Sequence, residues 1–149
     1  MNIIRVQTGD FDISAECDAL VHGRPDIGAI VTFTGCVRGD ESLIALTLEH
    51  YPGMTEREIA KHIAEAEAHW PILGATIIHR IGRLVPGERI VLVAVGSAHR
   101  EAAFRAVEFL MDYLKTQAPF WKREQRGSEA NWVEARESDA NAALRWRQS

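Results

Sequence analysis

The chain has 149 residues, of which 46% are hydrophobic and 26% are charged, and its formal net charge at pH 7 is −4. This composition is typical of a globular protein, and the length suits one continuous core, so we expect a single domain over residues 1–149. The negative charge argues against a general nucleic-acid-binding protein, because such proteins usually need a basic face. No stretch reaches the ~18 consecutive apolar residues of a membrane span, and the first residues, MNIIR, lack a signal-peptide pattern. The two cysteines form no CxxC pair, which argues against a disulfide framework or a zinc knuckle, and we expect a cytoplasmic protein.

Strands and one short helix are predicted in the N-terminal part of the chain. Residues 3–6, IIRV, predict a first strand, and Asp12 or Ser14 can cap a short helix that follows it. The β-branched run 28–37, GAIVTFTGCV, predicts a central strand. Residues 43–51, LIALTLEHY, alternate well enough to predict its antiparallel neighbour.

A helix and a hairpin are predicted next. The helix runs from Thr55 to Trp70, and Thr55 and Glu58 have the spacing of a capping box. The segments ATIIHRIGRL and ERIVLVAVGSA flank Pro86-Gly87, which has the pattern of a type II turn, so we expect them to pair as a hairpin.

The C-terminal part predicts one long helix and several short elements. The long helix spans about residues 97–118 and ends before Pro119, which cannot continue it. Residues 120–125 and 132–133 predict two short strands around a glycine turn, and residues 138–146 predict a final short helix. The whole pattern predicts an α+β fold, with a mainly antiparallel sheet, two main helices packed on it and short terminal elements.

The long helix places a lysine at the edge of its predicted apolar face. At about 100° per residue, Phe104, Val107, Met111 and Leu114 form the predicted buried stripe. Lys115 falls at the edge of this stripe, where a lysine either extends outward to solvent or lines a cavity.

A second lysine follows shortly after the helix. If residues 120–125 are extended, Phe120, Lys122 and Glu124 share one side of the strand. The chain reversal at Pro119 can then bring Lys122 beside Lys115. Two ammonium groups held near apolar walls depress each other's pKa, and such lysines can act as acid, base or nucleophile. A pair of surface lysines is the alternative, and these residues alone leave both interpretations open.

The start of the same helix carries His99 and Arg100, where free backbone N–H groups already favour anions. A cation at this end is poor for helix stability, so Arg100 indicates a ligand or an acidic partner. Arg100 and Lys115 are separated by about 22 Å of helix and cannot both hold one small molecule within one chain. Either there are two sites or a second copy supplies one helix end, and we expect a dimer with shared pockets.

The central strand ends near Cys36 and Arg38. A side chain before a turn is well placed to face a ligand, although an exposed strand-end arginine is the alternative for Arg38. For Cys36 we expect a buried, unreactive thiol, although neighbouring cations would favour its ionisation.

Other patterns do not indicate a function. His62, Glu65 and His69 lie at i, i+3 and i+7, but no further ligand has compatible spacing, so we expect no metal site. The glycines form no nucleotide-binding pattern. Ser97 and His99 are followed by no acid in a recognisable triad order.

Six segments together resemble the large, catalytic subunit family of molybdopterin synthase: VTFTGCVRG, LTLEHYPGMTE, HRIGRLVPGE, SAHREAAF, MDYLKTQAPFWKRE and WVEARESD. The resemblance runs in order from about Gly28 to Trp146. It implies an α+β enzyme that converts cyclic pyranopterin monophosphate to molybdopterin by installing two dithiolene sulfurs, with no cofactor or metal. It also implies a small ubiquitin-like partner subunit, whose C-terminal Gly-Gly carries the sulfur as a thiocarboxylate. Two large subunits would form a central homodimer, with one small subunit at each end of a heterotetramer.

The resemblance also implies which residues form the site. The implied substrate-binding set is Cys36, Val37, Arg38, His99, Arg100, Lys115, Lys122, Arg123, Glu124 and Arg136. Within YLKTQAPFWK, Lys115 and Lys122 match the two catalytic lysines of the family. We expect Lys115 to be the main acid and base, and Lys122 to orient the thiocarboxylate. Within SAHR, His99 and Arg100 match residues that the neighbouring chain contributes.

The chain departs from the family pattern near Arg38. Many relatives have a longer loop after this arginine, and some have a lysine in place of Cys36, so one cation is missing near the expected phosphate position. A non-catalytic dimeric module that binds a C-terminal peptide tail or a phosphorylated metabolite is the alternative function, and it would use the same cationic pocket. An unrelated acyl- or phosphoryl-handling enzyme on a similar scaffold is a third possibility.

Overall fold

The computed structural model describes residues 2–127 and 129–133, together with Leu144 and Trp146. Three helices and eight strands lie in this part of the chain, and the predicted α+β class is confirmed. In chain order they are β1 (Asn2–Gln7), α1 (Ile13–Val21), β2 (Ala29–Cys36), β3 (Leu43–His50), α2 (Met54–His69), β4 (Ile72–Arg80), β5 (Gly82–Leu84), β6 (Arg89–Ser97), α3 (Arg100–Thr116), β7 (Phe120–Arg126) and β8 (Glu129–Val133). Arg136 and nearly all of the helix predicted over 138–146 lie outside the described residues.

The strands form two four-stranded sheets, with the orders β1-β4-β6-β2 and β5-β3-β7-β8. Only the β1–β4 pair is parallel among the described strand pairs. The predicted pairing of 28–37 with 43–51 is wrong, because β2 pairs with β6 whereas β3 pairs with β5 and β7. Between β2 and β3, Val37 makes backbone hydrogen bonds of 2.8 Å with both Gly87 and Glu88, so the chain leaves the first sheet there.

The predicted hairpin is confirmed in its main part, since β4 and β6 are antiparallel neighbours. The segment between them is more complex than a turn, because Gly82, at φ +85°, redirects the chain into the short strand β5 of the other sheet. At Pro86-Gly87 the backbone N–H of Glu88 donates to the carbonyl of Val85, and Gly87 has φ +92°, as a type II turn requires.

The two predicted helix caps have different outcomes. Asp12 caps α1 as predicted, because its carboxylate accepts a hydrogen bond of 3.0 Å from the Ala15 N–H. The capping box predicted for α2 is wrong: the N-cap is Gly53, whose N–H donates to Glu56 at 2.8 Å. Thr55 is fully buried instead, and its hydroxyl donates to the carbonyl of Pro119, which ties α2 to the segment before β7.

Helix α3 buries a wider face than the predicted stripe. Val107, Met111 and Leu114 are buried as expected, but the inclusion of Phe104 is wrong, since it is 58% exposed. The reason is the position of the stripe, which is centred on fully buried residues such as Leu110 and leaves Phe104 at its edge. The complete buried set is Ala102, Ala103, Ala106, Val107, Phe109, Leu110, Met111, Tyr113 and Leu114.

One apolar cluster joins both sheets to α2 and α3. It includes Leu48 from β3, Ile59 from α2, Ile77 from β4, Val93 from β6 and Leu110 from α3, each at most 1% exposed. This core fixes the end of α3 against the ends of β4 and β6. None of the described helices is both long and apolar enough to cross a membrane.

Candidate active site

A cavity of about 120 Å³ lies where the C-terminal end of α3 meets β7 and the adjoining ends of β4 and β6. Both Lys115 and Lys122 line it. The complete lining is His79, Ile90, Val91, Met111, Leu114, Lys115, Thr116, Ala118, Phe120 and Lys122. The two cations therefore share a small space with partly apolar walls, where electrostatic interactions are stronger than in water.

The local sequence explains why the two lysines meet. Backbone N–H groups of Gln117 and Ala118 both donate to the Tyr113 carbonyl and close the last turn of α3. Pro119 cannot extend the helix, and the chain enters β7 directly at Phe120. The predicted reversal is thus observed, with an exposed Lys115 at the cavity mouth and a half-buried Lys122 on the facing strand.

The alternation along β7 decides which neighbours of Lys122 can face the cavity. The half-buried side chains at 120, 122, 124 and 126 alternate with exposed ones at 121, 123 and 125, as predicted for an extended segment. Arg123 lies on the exposed side, where its guanidinium is 5.8 Å from the centre of the Trp132 ring. Glu124 shares the side of Lys122, but its carboxylate pairs with Arg126 at 2.9 Å and does not line the cavity.

The residues after β2 lie at the edge of the first sheet. Cys36 is exposed, so the expectation of a buried thiol is wrong. The cause is its place at the last position of an edge strand, where the pairing register with β6 shifts. Val37 is 5% exposed and Arg38 is exposed beyond the end of the strand.

The short loop after Arg38 is fixed by Asp40. The Asp40 carboxylate accepts backbone hydrogen bonds from Ser42 and Leu43, each 2.9 Å, and pairs with Arg126 of β7 at 2.7 Å. These contacts, with the Arg126 hydrogen bond as the largest cause, hold the pKa of the Asp40 carboxyl well below its usual value. The short loop between β2 and β3 is therefore attached to the strand that carries Lys122.

His99 and Arg100 lie at the other end of α3. His99 is the N-cap residue, Arg100 is the first helical residue, and both are exposed. Since α3 is continuous to Thr116, about 22 Å of helix separates Arg100 from Lys115. One chain alone does not bring these two cations to the same cavity.

His79 is a cavity residue that the sequence analysis missed. It is 7% exposed, and its ring stacks on Phe120 with centroids 4.0 Å apart. Burial is the main cause that lowers the pKa of His79 to about 4, and the nearby charges of Lys122, Lys115 and His50 act in the same direction. A signal was present in the sequence, because His79 follows the apolar run ATII in an otherwise buried strand.

The histidines of α2 make other contacts. The ring of His62 bonds to the Glu58 carbonyl at 2.9 Å and stacks on Tyr113, and the ring of His69 bonds to the Glu65 carbonyl at 3.0 Å. Over the part of the chain that the structure describes, no group of three or more His, Cys, Asp or Glu residues has metal-binding geometry.

Comparisons with known proteins agree on one family. The sequence model of the family described as MoaE protein matches residues 6–117. The molybdopterin synthase catalytic subunit of Mesorhizobium japonicum is 57% identical, over 98% of this chain and 94% of that protein. The solved structure of the molybdopterin biosynthesis MoaE protein from Burkholderia ambifaria is 50% identical, with a TM-score of 0.86 and coverage of 99% of each chain. A solved complex of subunits 1 and 2 of the molybdopterin-converting factor from Helicobacter pylori shares the fold, with a TM-score of 0.74, 20% identity and coverage of 90% of each chain.

Proposed function

The chain belongs to the MoaE protein family of molybdenum cofactor biosynthesis enzymes, and on this premise we propose that it converts cyclic pyranopterin monophosphate to molybdopterin. The sulfur comes from the C-terminal thiocarboxylate of a small ubiquitin-like partner subunit. The observation that carries this proposal is the cavity lined by both Lys115 and Lys122. Both proposed reactants are anionic, and a partly apolar cavity with two cations suits them.

The chemistry requires proton transfer and charge stabilisation. Each sulfur replaces an oxygen of the pterin side chain, so the departing oxygen needs a proton and the intermediate carries developing negative charge. Lys115, at the cavity mouth, is the proposed acid and base for these proton transfers. Lys122, half-buried on β7, is proposed to orient the thiocarboxylate, and both ammonium groups stabilise the developing charge.

The cavity of one chain is only part of the proposed site. His99 and Arg100 are proposed to bind the substrate phosphate from the second copy of a homodimer, because about 22 Å of helix keeps them from the lysines of their own chain. Each homodimer would bind one small subunit at each end. The Helicobacter pylori protein was solved as a complex of two subunits, which supports the expectation of a partner.

The remaining proposed substrate-binding residues that the structure describes do not line the cavity itself. Arg38 is exposed and can approach an anion, whereas Val37 is buried beside the turn at Gly87. Arg123 and Glu124 are proposed to act at the border of the site. Cys36 and Arg136 complete the proposed set, and Arg136 lies outside the described residues.

A single-turnover assay tests the proposal. The wild type is mixed with cyclic pyranopterin monophosphate and a small subunit bearing a C-terminal thiocarboxylate, and dithiolene product is measured by fluorescence after oxidation. Lys115→Ala should lower the rate by at least about a hundredfold, as expected for loss of a general acid and base. Lys61→Ala, which removes a lysine whose side chain is 75% exposed on α2, is the matched control and should match the wild type.

The same assay separates the enzyme from a non-catalytic binding module. If the wild type yields no product while it still binds the small subunit, the enzyme proposal fails and the binding module is favoured. Near-normal product formation by Lys115→Ala would show that the role assigned to Lys115 is wrong.

A further inference from the structure

The link between α3 and β7 connects the two proposed catalytic lysines. It consists of residues 117–119 alone, and it joins the helix that bears Lys115 to the strand that bears Lys122. Ala118 of the link and Phe120 at the start of β7 also line the cavity. The position of this short link therefore sets where the two lysines stand relative to each other.

A buried hydroxyl of α2 holds the link from outside. Thr55 is fully buried, and its Oγ1 donates a hydrogen bond of 3.3 Å to the carbonyl of Pro119. The backbone N–H groups of Gln117 and Ala118 donate to the Tyr113 carbonyl, so these two bonds stay within the end of α3. Proline has no backbone N–H. The Thr55 hydroxyl thus binds the one polar backbone group that Pro119 has.

The same hydroxyl also holds the chain at the end of β3. The backbone N–H of Tyr51, which follows β3 directly, donates a hydrogen bond of 3.1 Å to Thr55 Oγ1. The Tyr51 ring meets the Trp121 ring edge to face, with centroids 4.4 Å apart. Trp121 is the residue before Lys122. The start of β7 is therefore held from two directions, through the carbonyl of Pro119 and through the ring of Trp121.

These two contacts use both hydrogen-bonding capacities of the hydroxyl. A backbone N–H only donates and a carbonyl only accepts, so the hydroxyl must supply a lone pair to one and its proton to the other. Both contacts are partly buried. Without the hydroxyl, the Tyr51 N–H and the Pro119 carbonyl lose this partner, and a shift of the link is the way to find another.

We propose that Thr55 is a positioning residue whose hydroxyl fixes the backbone of the link and thereby sets the separation of the two lysines. This role needs no particular partner or charge state of either lysine, because Thr55 acts on the backbone that carries them. A displacement of ~1 Å can lower the rate of a catalysed step by about a hundredfold. The effect on catalysis rests on the function proposed above, whereas the contact of Thr55 with the link does not.

Two substitutions separate the hydroxyl from the methyl group of Thr55. Thr55→Val keeps the shape of the side chain and removes the hydroxyl, whereas Thr55→Ser keeps the hydroxyl and removes a buried methyl. We expect Thr55→Val to lower the single-turnover rate by about tenfold or more, and Thr55→Ser to stay within about threefold of the wild type. Both variants should be less stable than the wild type, so equal rates in the two variants would overturn the proposal.

Asp12→Ala is the control for a general loss of stability. Asp12 caps α1, and Ile13 of this helix packs against the cluster of Phe11, Ile78 and Leu92, which is separate from the core beside the cavity. This variant should be destabilised and should still react at the wild-type rate. A rate loss in Asp12→Ala as large as that in Thr55→Val would overturn the proposal, because general destabilisation would then explain both.

An NMR measurement distinguishes failure of this proposal from failure of the proposed function. An HNCO spectrum reports the carbonyl carbon of Pro119 through the N–H of Phe120. This carbonyl resonance should move upfield in Thr55→Val, which lacks the hydrogen bond, and stay near its wild-type position in Thr55→Ser. An unmoved resonance in Thr55→Val would show that the contact is absent and the proposal is wrong.

The NMR and rate measurements together separate the remaining outcomes. If the resonance moves but the wild type makes no dithiolene product, the contact is confirmed, and the proposed reaction fails together with the catalytic effect of Thr55. If the wild type makes product and Thr55→Val makes it at the same rate, the proposed reaction is supported and the positioning role of Thr55 is wrong.

Discussion

Protonation of the buried His79 should make the stability of the protein depend on pH in a defined window. Its pKa is lowered from 6.5 to about 4 in the folded protein. Between these values the unfolded chain binds more protons than the folded protein, so the free energy of unfolding must fall as the pH falls. A shift of this size corresponds to a loss of roughly 3 kcal/mol between pH 6.5 and pH 4. The stabilising contribution of the neutral His79 ring is fully present above pH 6.5, the pKa of the unfolded state. Below about pH 4 the ring is protonated in both the folded and the unfolded protein, so the contribution is absent.

The substitution His79→Gln isolates this contribution. Urea unfolding of the wild type and the variant is measured at intervals from about pH 8 to pH 4, and the two free energies are subtracted at each pH. The carboxylates of the two proteins are the same, so their contributions cancel in the difference. We expect the wild type to lose stability relative to His79→Gln at up to about 1.4 kcal/mol per pH unit inside the window. His22→Gln is the control for the loss of an exposed histidine, and parallel wild-type and His79→Gln curves would refute the reasoning.

Three further substitutions test individual contacts of the fold. Gly28→Ala should destabilise the protein by about 1–3 kcal/mol, because the added methyl would lie 2.4 Å from the Ala98 carbonyl oxygen; an unchanged urea midpoint would contradict this. Asp12→Ala should cost about 1 kcal/mol through loss of the α1 N-cap, and unchanged thermal stability would show that the cap is unimportant. Arg126→Gln should raise the pKa of the Asp40 carboxyl towards 3.8, and a carboxyl NMR titration that still gives the depressed value would show that Arg126 is not the main cause.

The features of the site that depend on local pattern were predictable from the sequence. The alternation of β7 follows from the two-residue period of a strand, and the meeting of Lys115 with Lys122 follows from the helix end at Pro119. The separation of Arg100 from Lys115 follows from helix rise alone. None of these needed knowledge of a distant contact.

Features that depend on distant contacts were not predictable. The pattern of 43–51 predicts a strand but does not specify its partner, and β3 joins the sheet of β5 and β7. The exposure of Cys36 results from the place of β2 at a sheet edge, which the apolar run does not reveal. His79 was missed because the role of a histidine in a buried strand depends on which residues pack against it.

The proposed sulfur-transfer site is built from two chains, and mixing two inactive variants tests this arrangement directly. Lys115→Ala and Arg100→Ala each damage a different part of the proposed site, and their homodimers should both be nearly inactive. If the two variants are refolded together and mix at random, half of the dimers are heterodimers, and each heterodimer has one intact site of two. About one quarter of all sites are then intact, so the mixture should show about one quarter of the wild-type activity per mole of protein. No recovery above the separate variants, with heterodimers shown to form, would contradict a site shared between chains.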